Sequence, residues 1–175
     1  MTGPVLETER LILRPIAMED FPRWAEMMGD PEAAKFLGGA QPAAVAWRGF
    51  MSMAGAWSLT GISMFSLVGR DSGLWLGRIG PLHPYGWPGR EVGWSLHRDA
   101  TGKGYAVEAA AATMDYAFDV LDWPDVIHCI DPDNLASEKV AERLGSTNRG
   151  PGVMPPPSDL VRTISPGCSS TTLIV

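Results

Sequence analysis

Gly102 and Gly104, with Lys103 between them, stand where a run that alternates like a strand meets a run that repeats like a helix. Such a junction can hold an anion. Upstream, residues 91–97 place Val92, Trp94 and Leu96 in alternation with Gly93 and Ser95, the period of a half-buried strand. Downstream, Ala106, Ala110, Met114, Ala117, Phe118 and Leu121 fall on one helical face, and Glu108, Asp115, Asp119 and Asp122 fall on the other. A helix that starts at two glycines presents free backbone N–H groups and a partial positive charge, which suits a ligand phosphate. The same glycines also suit a turn with no ligand. Spacing excludes two nucleotide motifs. A Walker loop needs a glycine where His97 stands and Ser or Thr where Gly104 stands, and a dinucleotide fingerprint needs a third glycine where Val107 stands.

The elements that must position this junction follow in order. Residues 10–16 read as a strand, and residues 19–29 as a helix with Pro22 in its first turn. Residues 43–57 read as a second helix. Residues 62–68 and 74–79 form a hairpin turned at 69–73, where Asp71, Ser72 and Gly73 supply turn chemistry. A loop at 81–90 leads to the strand at 91–97 and the helix at 101–121. A strand at 126–130 precedes a helix opened by Asn134 and closed by Gly145. Residues 150–157 read as a Gly/Pro-rich loop, and only 160–164 and 171–175 remain as later strands.

A chain of 175 residues fits one domain with a sizeable core. No apolar run approaches the roughly 20 residues that span a bilayer, which argues against a membrane role. The first residues lack a secretory pattern, and Cys129 and Cys168 have neither metal-type spacing nor the number for a disulfide framework. A reducing cytoplasm is the expected location, and no metal is expected. A formal charge of −6 argues against nucleic acid and favours cationic ligands such as amines.

Residues 102–109, Gly-Lys-Gly-Tyr-Ala-Val-Glu-Ala, resemble the pyrophosphate loop of the GNAT superfamily of acyl-CoA-dependent N-acyltransferases, and within it the ribosomal-protein N-terminal acetyltransferases. Three further landmarks agree in order: Glu7 to Pro15 with the first strand, Glu91 to Leu96 with the fourth, and Asn134 through Gly145 with the fourth helix. The resemblance covers about residues 6 to 150. It implies an α/β GNAT fold: one mixed, largely antiparallel sheet, splayed between its fourth and fifth strands and flanked by about four helices, in a single domain over residues 1–175 with an atypical segment from 150. It also implies acetyl-CoA as co-substrate and a primary amine as acceptor, either a protein N-terminus or a small molecule, in a monomer or homodimer. Backbone groups of Trp94, Ser95 and Leu96 would hold the pantetheine arm. Gly102, Lys103, Gly104, Tyr105 and Ala106 would hold the pyrophosphate, with Asn134 and Ser137 beside the CoA arm. Gly93 inside its strand suggests a bulge or a close approach of ligand to backbone. Asn134 has a second reading as a helix N-cap to Ser137.

An ammonium must lose a proton before it attacks a thioester. Glu91, at the start of the fourth strand, is the candidate base by resemblance, with His83 and His97 as alternatives. Many family members carry a tyrosine four residues before the closing glycine of the fourth helix, as the acid for the leaving thiolate. Ala141 stands there, leaving Tyr116, Tyr105, Ser137 or water. Asp99 occupies a position usually held by Gln or Arg and should point away from a pyrophosphate. Of the seven tryptophans, Trp47 or Trp87 would suit an apolar or cationic acceptor if either lined its pocket. A non-catalytic acyl-CoA sensor would keep Gly102 and Gly104 while lacking acid and base, and a general phosphate-ligand domain would bind ATP equally well.

Overall fold

The computed structural model describes residues 3–152 and 171–174. Its main sheet is antiparallel and runs in chain order: β1 (Leu6–Glu7), β2 (Leu11–Arg14), β3 (Phe65–Gly69), β4 (Trp75–Leu82) and β5 (Glu91–Leu96). A second, three-stranded sheet has the order β6 (His128–Ile130), β8 (Thr171–Ile174), β7 (Asn148–Gly152). The helices are α1 (Phe21–Gly29), α2 (Ala43–Thr60), α3 (Tyr105–Asp119) and α4 (Leu135–Arg143). This is the α/β, largely antiparallel architecture with four helices that the sequence implies.

The two sheets meet at one parallel bridge, Glu91 with Ile127. Val92 N donates to Ile127 O at 3.0 Å and Ile127 N to Arg90 O at 2.8 Å. Beyond it, β5 and β6 part. This is the expected splay.

Two apolar cores fix the layers. Leu11, Leu13, Phe65, Leu67, Ile79 and Val92 pack with Ala109, Ala110 and Ala117 of α3. Three alanines in one helical stripe bring α3 close to the sheet, so the start of that helix is held near the end of β5. Ile16, Trp24, Met27, Phe50 and Trp75 form the other core, between α1, α2 and the sheet. Pro22 sits in the first turn of α1, where its missing N–H costs nothing.

Several expectations are corrected. On α3, Phe118 is 40% exposed, and Tyr116 is the buried aromatic, edge-on to Phe65 with ring centres 5.8 Å apart. Each residue of a helix is rotated by about 100° from the one before, so Tyr116 and Phe118 face nearly opposite ways, and the packing of α3 across β4 and β5 selects the face bearing Tyr116. Helix α2 continues past residue 57 to Thr60 and stops at Gly61, which is left-handed with φ +70°. Residues 148–152 form strand β7, which takes in the first three residues of the Gly/Pro-rich loop read at 150–157; the rest of that loop lies outside the described residues. Pro151 is tolerated there because β7 is an edge strand of its sheet. The expected strand at 171–175 is found at Thr171–Ile174, and the one at 160–164 lies outside the described residues. Gly93 is not in a bulge. Register is continuous from Leu82/Glu91 to Gly77/Leu96, and the irregularity of the sheet lies between Leu67 and Val68.

Candidate active site

A cleft of about 450 Å³ opens where β5 and β6 part, and it gathers most of the residues singled out by sequence. Trp94, Ser95 and Leu96 form one wall. Gly102, Gly104, Tyr105 and Ala106 form the floor at the start of α3, and Asn134 and Ser137 face them from α4. Lys103 and Glu91 do not line it. The Lys103 carbonyl accepts from Arg10 Nη1 at 3.0 Å.

Backbone alternation assigns the open groups of β5. Val92 uses its N–H toward Ile127 and its C=O toward His128 Nδ1, at 3.0 and 2.7 Å, so it faces β6. Trp94 and Leu96, at even spacing, turn their main-chain groups the same way, into the parting. Ser95 pairs with Arg78 of β4, and His97 N donates to Leu76 O at 2.8 Å. The main-chain contacts expected of Ser95 are therefore directed to β4, and Ser95 borders the cleft with other atoms.

The floor is an uncapped helix start. Gly104 is the residue preceding α3 and is left-handed (φ +80°, ψ 1°), with no side chain accepting from the first-turn N–H groups. Those donors and the helix dipole favour an anion there. The loop is fastened from a distance. Glu108, read from sequence as solvent-facing, accepts from Thr8 Oγ1 at 2.6 Å, from Arg10 N at 2.9 Å and from Arg10 Nε at 2.6 Å. These bonds hold its carboxyl below the usual range even though desolvation opposes them. Arg10 also lies over the Tyr105 ring at 4.8 Å.

On α4, Asn134 is a cap, accepting from Ser137 N at 3.2 Å. Ser137 Oγ accepts from Trp94 Nε1 at 3.2 Å, tying the two sides of the cleft together. Two features escaped sequence reading. Phe36 and Leu37, from the segment between α1 and α2, close the cleft with an apolar wall. Lys139 and Arg143 border it one turn apart on α4. That i,i+4 basic pair was the available signal. Reversing both charges, Lys139→Glu with Arg143→Glu, is expected to raise KM for an anionic substrate of this cleft by about two- to fivefold per site with kcat little changed, the size of an exposed ion pair. Steady-state kinetics at 50 and 300 mM salt check this, and the effect should shrink at high salt.

Glu91 lies at the bridge, 6% exposed rather than solvated. Trp87 Nε1 donates to it at 2.5 Å and Cys129 N at 3.2 Å. Burial raises its pKa and outweighs both bonds. The same burial, with the Glu91 charge beside it, pushes the Cys129 thiol upward, so Cys129 is a poor nucleophile. Gly93 leaves room for this carboxylate, since a Cβ there would stand 3.2 Å from Glu91 Oε1. His128 is buried, its pKa lowered by desolvation; it is held between Val92 O and Ser146 Oγ (3.1 Å) and packs on Trp94.

The other candidates are placed elsewhere. His83 is exposed in the loop before β5. His97 is buried and bonded to Asp99 at 2.8 Å, with Arg23 at 3.1 Å. Asp99 turns to Arg23, at 2.7 Å. Tyr116 is in the core, and its burial raises its pKa further from a donor's range at neutral pH. Ala141 is fully buried against Ile130 and Trp94. Tyr105 and Ser137 are the hydroxyls that border the cleft among the residues proposed as acid. Trp87 contacts Glu91, whereas Trp47 packs edge-on to Phe21 and is 37% exposed.

Known proteins are similar to this chain in sequence and in fold. The Acetyltransferase (GNAT) domain model matches residues 10–147. The Bacillus licheniformis protein named "Uncharacterized N-acetyltransferase p20" is 30% identical over 148 residues, 83% of each chain. The crystal structure of an acetyltransferase from Agrobacterium tumefaciens superposes with a TM-score of 0.82 at 33% identity, covering 99% of this chain and 94% of that one. A putative ribosomal-protein-serine acetyltransferase from Vibrio cholerae shares the fold, with a TM-score of 0.75 over 99% and 97% of the two chains, at 17% identity. A parted sheet with a glycine-started helix at its opening, matched along most of its length by these relatives, makes the chain a member of the GNAT acetyltransferase family.

Proposed function

We propose that the protein transfers an acetyl group from acetyl-CoA to a primary amine in a ternary complex. The carrying observation is the cleft at the parting of β5 and β6, which aligns the open main chain of Trp94 and Leu96 with the uncapped start of α3. The pantetheine arm would bond along β5, and its pyrophosphate would meet the N–H groups beyond Gly104. A neutral amine attacks the thioester carbonyl carbon. The oxyanion is met by a main-chain N–H of β5, a contact worth about 3 kcal/mol. Collapse breaks the C–S bond, and the thiolate leaves, taking a proton from water, Ser137 or Tyr105. Glu91, whose burial raises its affinity for a proton, accepts the ammonium proton through water. The acceptor is either a protein N-terminus, in keeping with the resemblance to the ribosomal-protein enzymes, or a small amine, in a single domain acting in the cytoplasm.

Saturating acetyl-CoA, at about 100 times its Kd, should stabilise the protein by about 2.7 kcal/mol, as should CoA, whereas ATP should not. Gly104→Val should abolish that stabilisation, because a β-branched residue resists φ +80° and would re-aim the first turn of α3. Equal stabilisation by ATP would favour a general phosphate-ligand domain. Acetyl-CoA binding with no thiol release for any amine would favour a sensor.

A further inference from the structure

Arg78 of β4 is the one buried lysine or arginine among the described residues, 8% exposed. Arg10, Arg14, Arg23, Arg70 and Arg98, all more exposed, each pair with a carboxylate, as Arg14 does with Asp20 at 2.8 Å. Arg78 has none. Its Nη1 donates to Met53 Sδ at 3.2 Å, its Cζ lies 4.5 Å over the Trp24 ring, and its Nε is buried without a partner. A thioether is a weak acceptor, and a guanidinium offers five donors in a fork that fits a carboxylate. Burial pulls its pKa down only to about 10, so it stays charged at neutral pH.

Its place gives that charge a purpose. Arg78 and Ser95 are cross-strand partners, their Cα atoms about 5.5 Å apart in a hydrogen-bonded pair. By alternation Arg78, Ser95, Gly93 and Glu91 project from one face of the sheet, the face covered by α1 and α2. Arg78 does not itself line the cleft, but its cross-strand partner Ser95 does, so its guanidinium, set against Trp24 and Met53, lies behind the wall that Ser95 forms and on the same sheet face as the proposed base. Met53, half-buried and flexible, is the group an incoming anion would displace.

We infer that Arg78 recognises a carboxylate on the acceptor, so that the substrate class is a carboxylate-bearing amine such as a free amino acid, not a polyamine. This rests on the acetyl transfer proposed above. The overall charge of −6 favours cations at long range. At the acceptor face the unpaired guanidinium reverses that preference, since a second ammonium beside it would be repelled.

The test uses acetyl-CoA with L-amino acids and their matched amides, reading thiol release, together with the thermal shift each compound gives when CoA is bound. The expected result is kcat/KM at least about tenfold higher for acids than for amides, and a thermal shift from acids alone. Arg78→Met should erase the difference. Met53→Glu should also erase it, by supplying a resident carboxylate, while the fold stays at least as stable as the wild type's. Equal use of acids and amides would overturn the inference, as would an acid preference that survives Met53→Glu, or an Arg78→Met loss shared equally by acids and amides. If acetyl-CoA stabilises the protein yet no acid is acetylated or shifts its melting, the carboxylate inference fails and the donor site stands. If acetyl-CoA gives no stabilisation, both fail.

Discussion

Exchanging Glu91 for glutamine is expected to lower turnover by about 100-fold or more, the scale of general-base catalysis, and to remove the loss of stability that Glu91 imposes as pH rises. The first effect follows from losing the proton acceptor proposed above, next to the opening of β5 and β6. The wild-type rate should climb with pH through the raised pKa of Glu91 and then level off, and the variant should lack that limb. The second effect follows from linkage. A carboxyl whose pKa is raised in the folded state binds its proton more tightly there than in the unfolded chain, where the value is about 4.3. Its favourable contribution is complete below the unfolded pKa and is lost as pH rises through the folded one. Trp87 and Cys129 donate to different oxygens of the carboxylate, so glutamine, with one oxygen, keeps the acceptor for one of them and loses the other, while it removes the ionisation that burial opposes. The melting temperature of the variant minus that of the wild type should therefore increase as pH rises above about 4.3 and then become constant. A variant with unchanged rate, or a gap that narrows with pH, would contradict the assigned role and burial.

Gly77→Val should destabilise the protein by about 3 kcal/mol or more, adding backbone strain to overpacking, which is about 10 °C in melting temperature for a chain of this size. Gly77 has φ +152°, an extended conformation available to glycine alone. A Cβ there would collide with Ser95 O and stand 2.9 Å from Leu96 Cα, and both obstacles are backbone of β5. Side chains cannot yield to relieve it; the strands must separate. Because Leu96 faces the cleft, the remaining folded fraction should also bind acetyl-CoA more weakly. Thermal melts with and without acetyl-CoA check both parts. A melting temperature within a degree of wild type would show that the β4–β5 register is wrong.

The glycine junction between β5 and α3 was legible because its signal is local: two glycines, an alternating strand before them and a helical stripe after. Asn134 was legible as a cap for the same reason, with its partner three residues away. The environment of Glu91 was not. A glutamate opening a strand reads as solvated, and what buries it is Trp87 and the β6 backbone at Cys129, brought over by a bridge 36 positions along the chain. Glu108 was misread by the same reasoning, since its partners Thr8 and Arg10 lie about a hundred residues earlier. Phe36 and Leu37 carry no periodicity, so nothing local marked them as a wall. Strand β7 defeated composition, because glycine and proline in an edge strand look like a loop until the neighbouring strand is known. Arg78 lay unremarked within a hairpin strand, and only burial without a carboxylate distinguishes it.

The order β6-β8-β7 has a consequence for assembly. The strand made last of the three lies between the other two. Until residues 171–174 have been synthesised, β6 and β7 stand a strand's width apart, each with an unsatisfied inner edge, and neither can pair with the other in its native place. The five-stranded sheet, built from neighbours in sequence, has no such wait. A chain interrupted before residue 171 would thus carry a finished half and a half with two adhesive edges, and the fault should show as aggregation. The C-terminal strand acts as the closing piece of the second sheet.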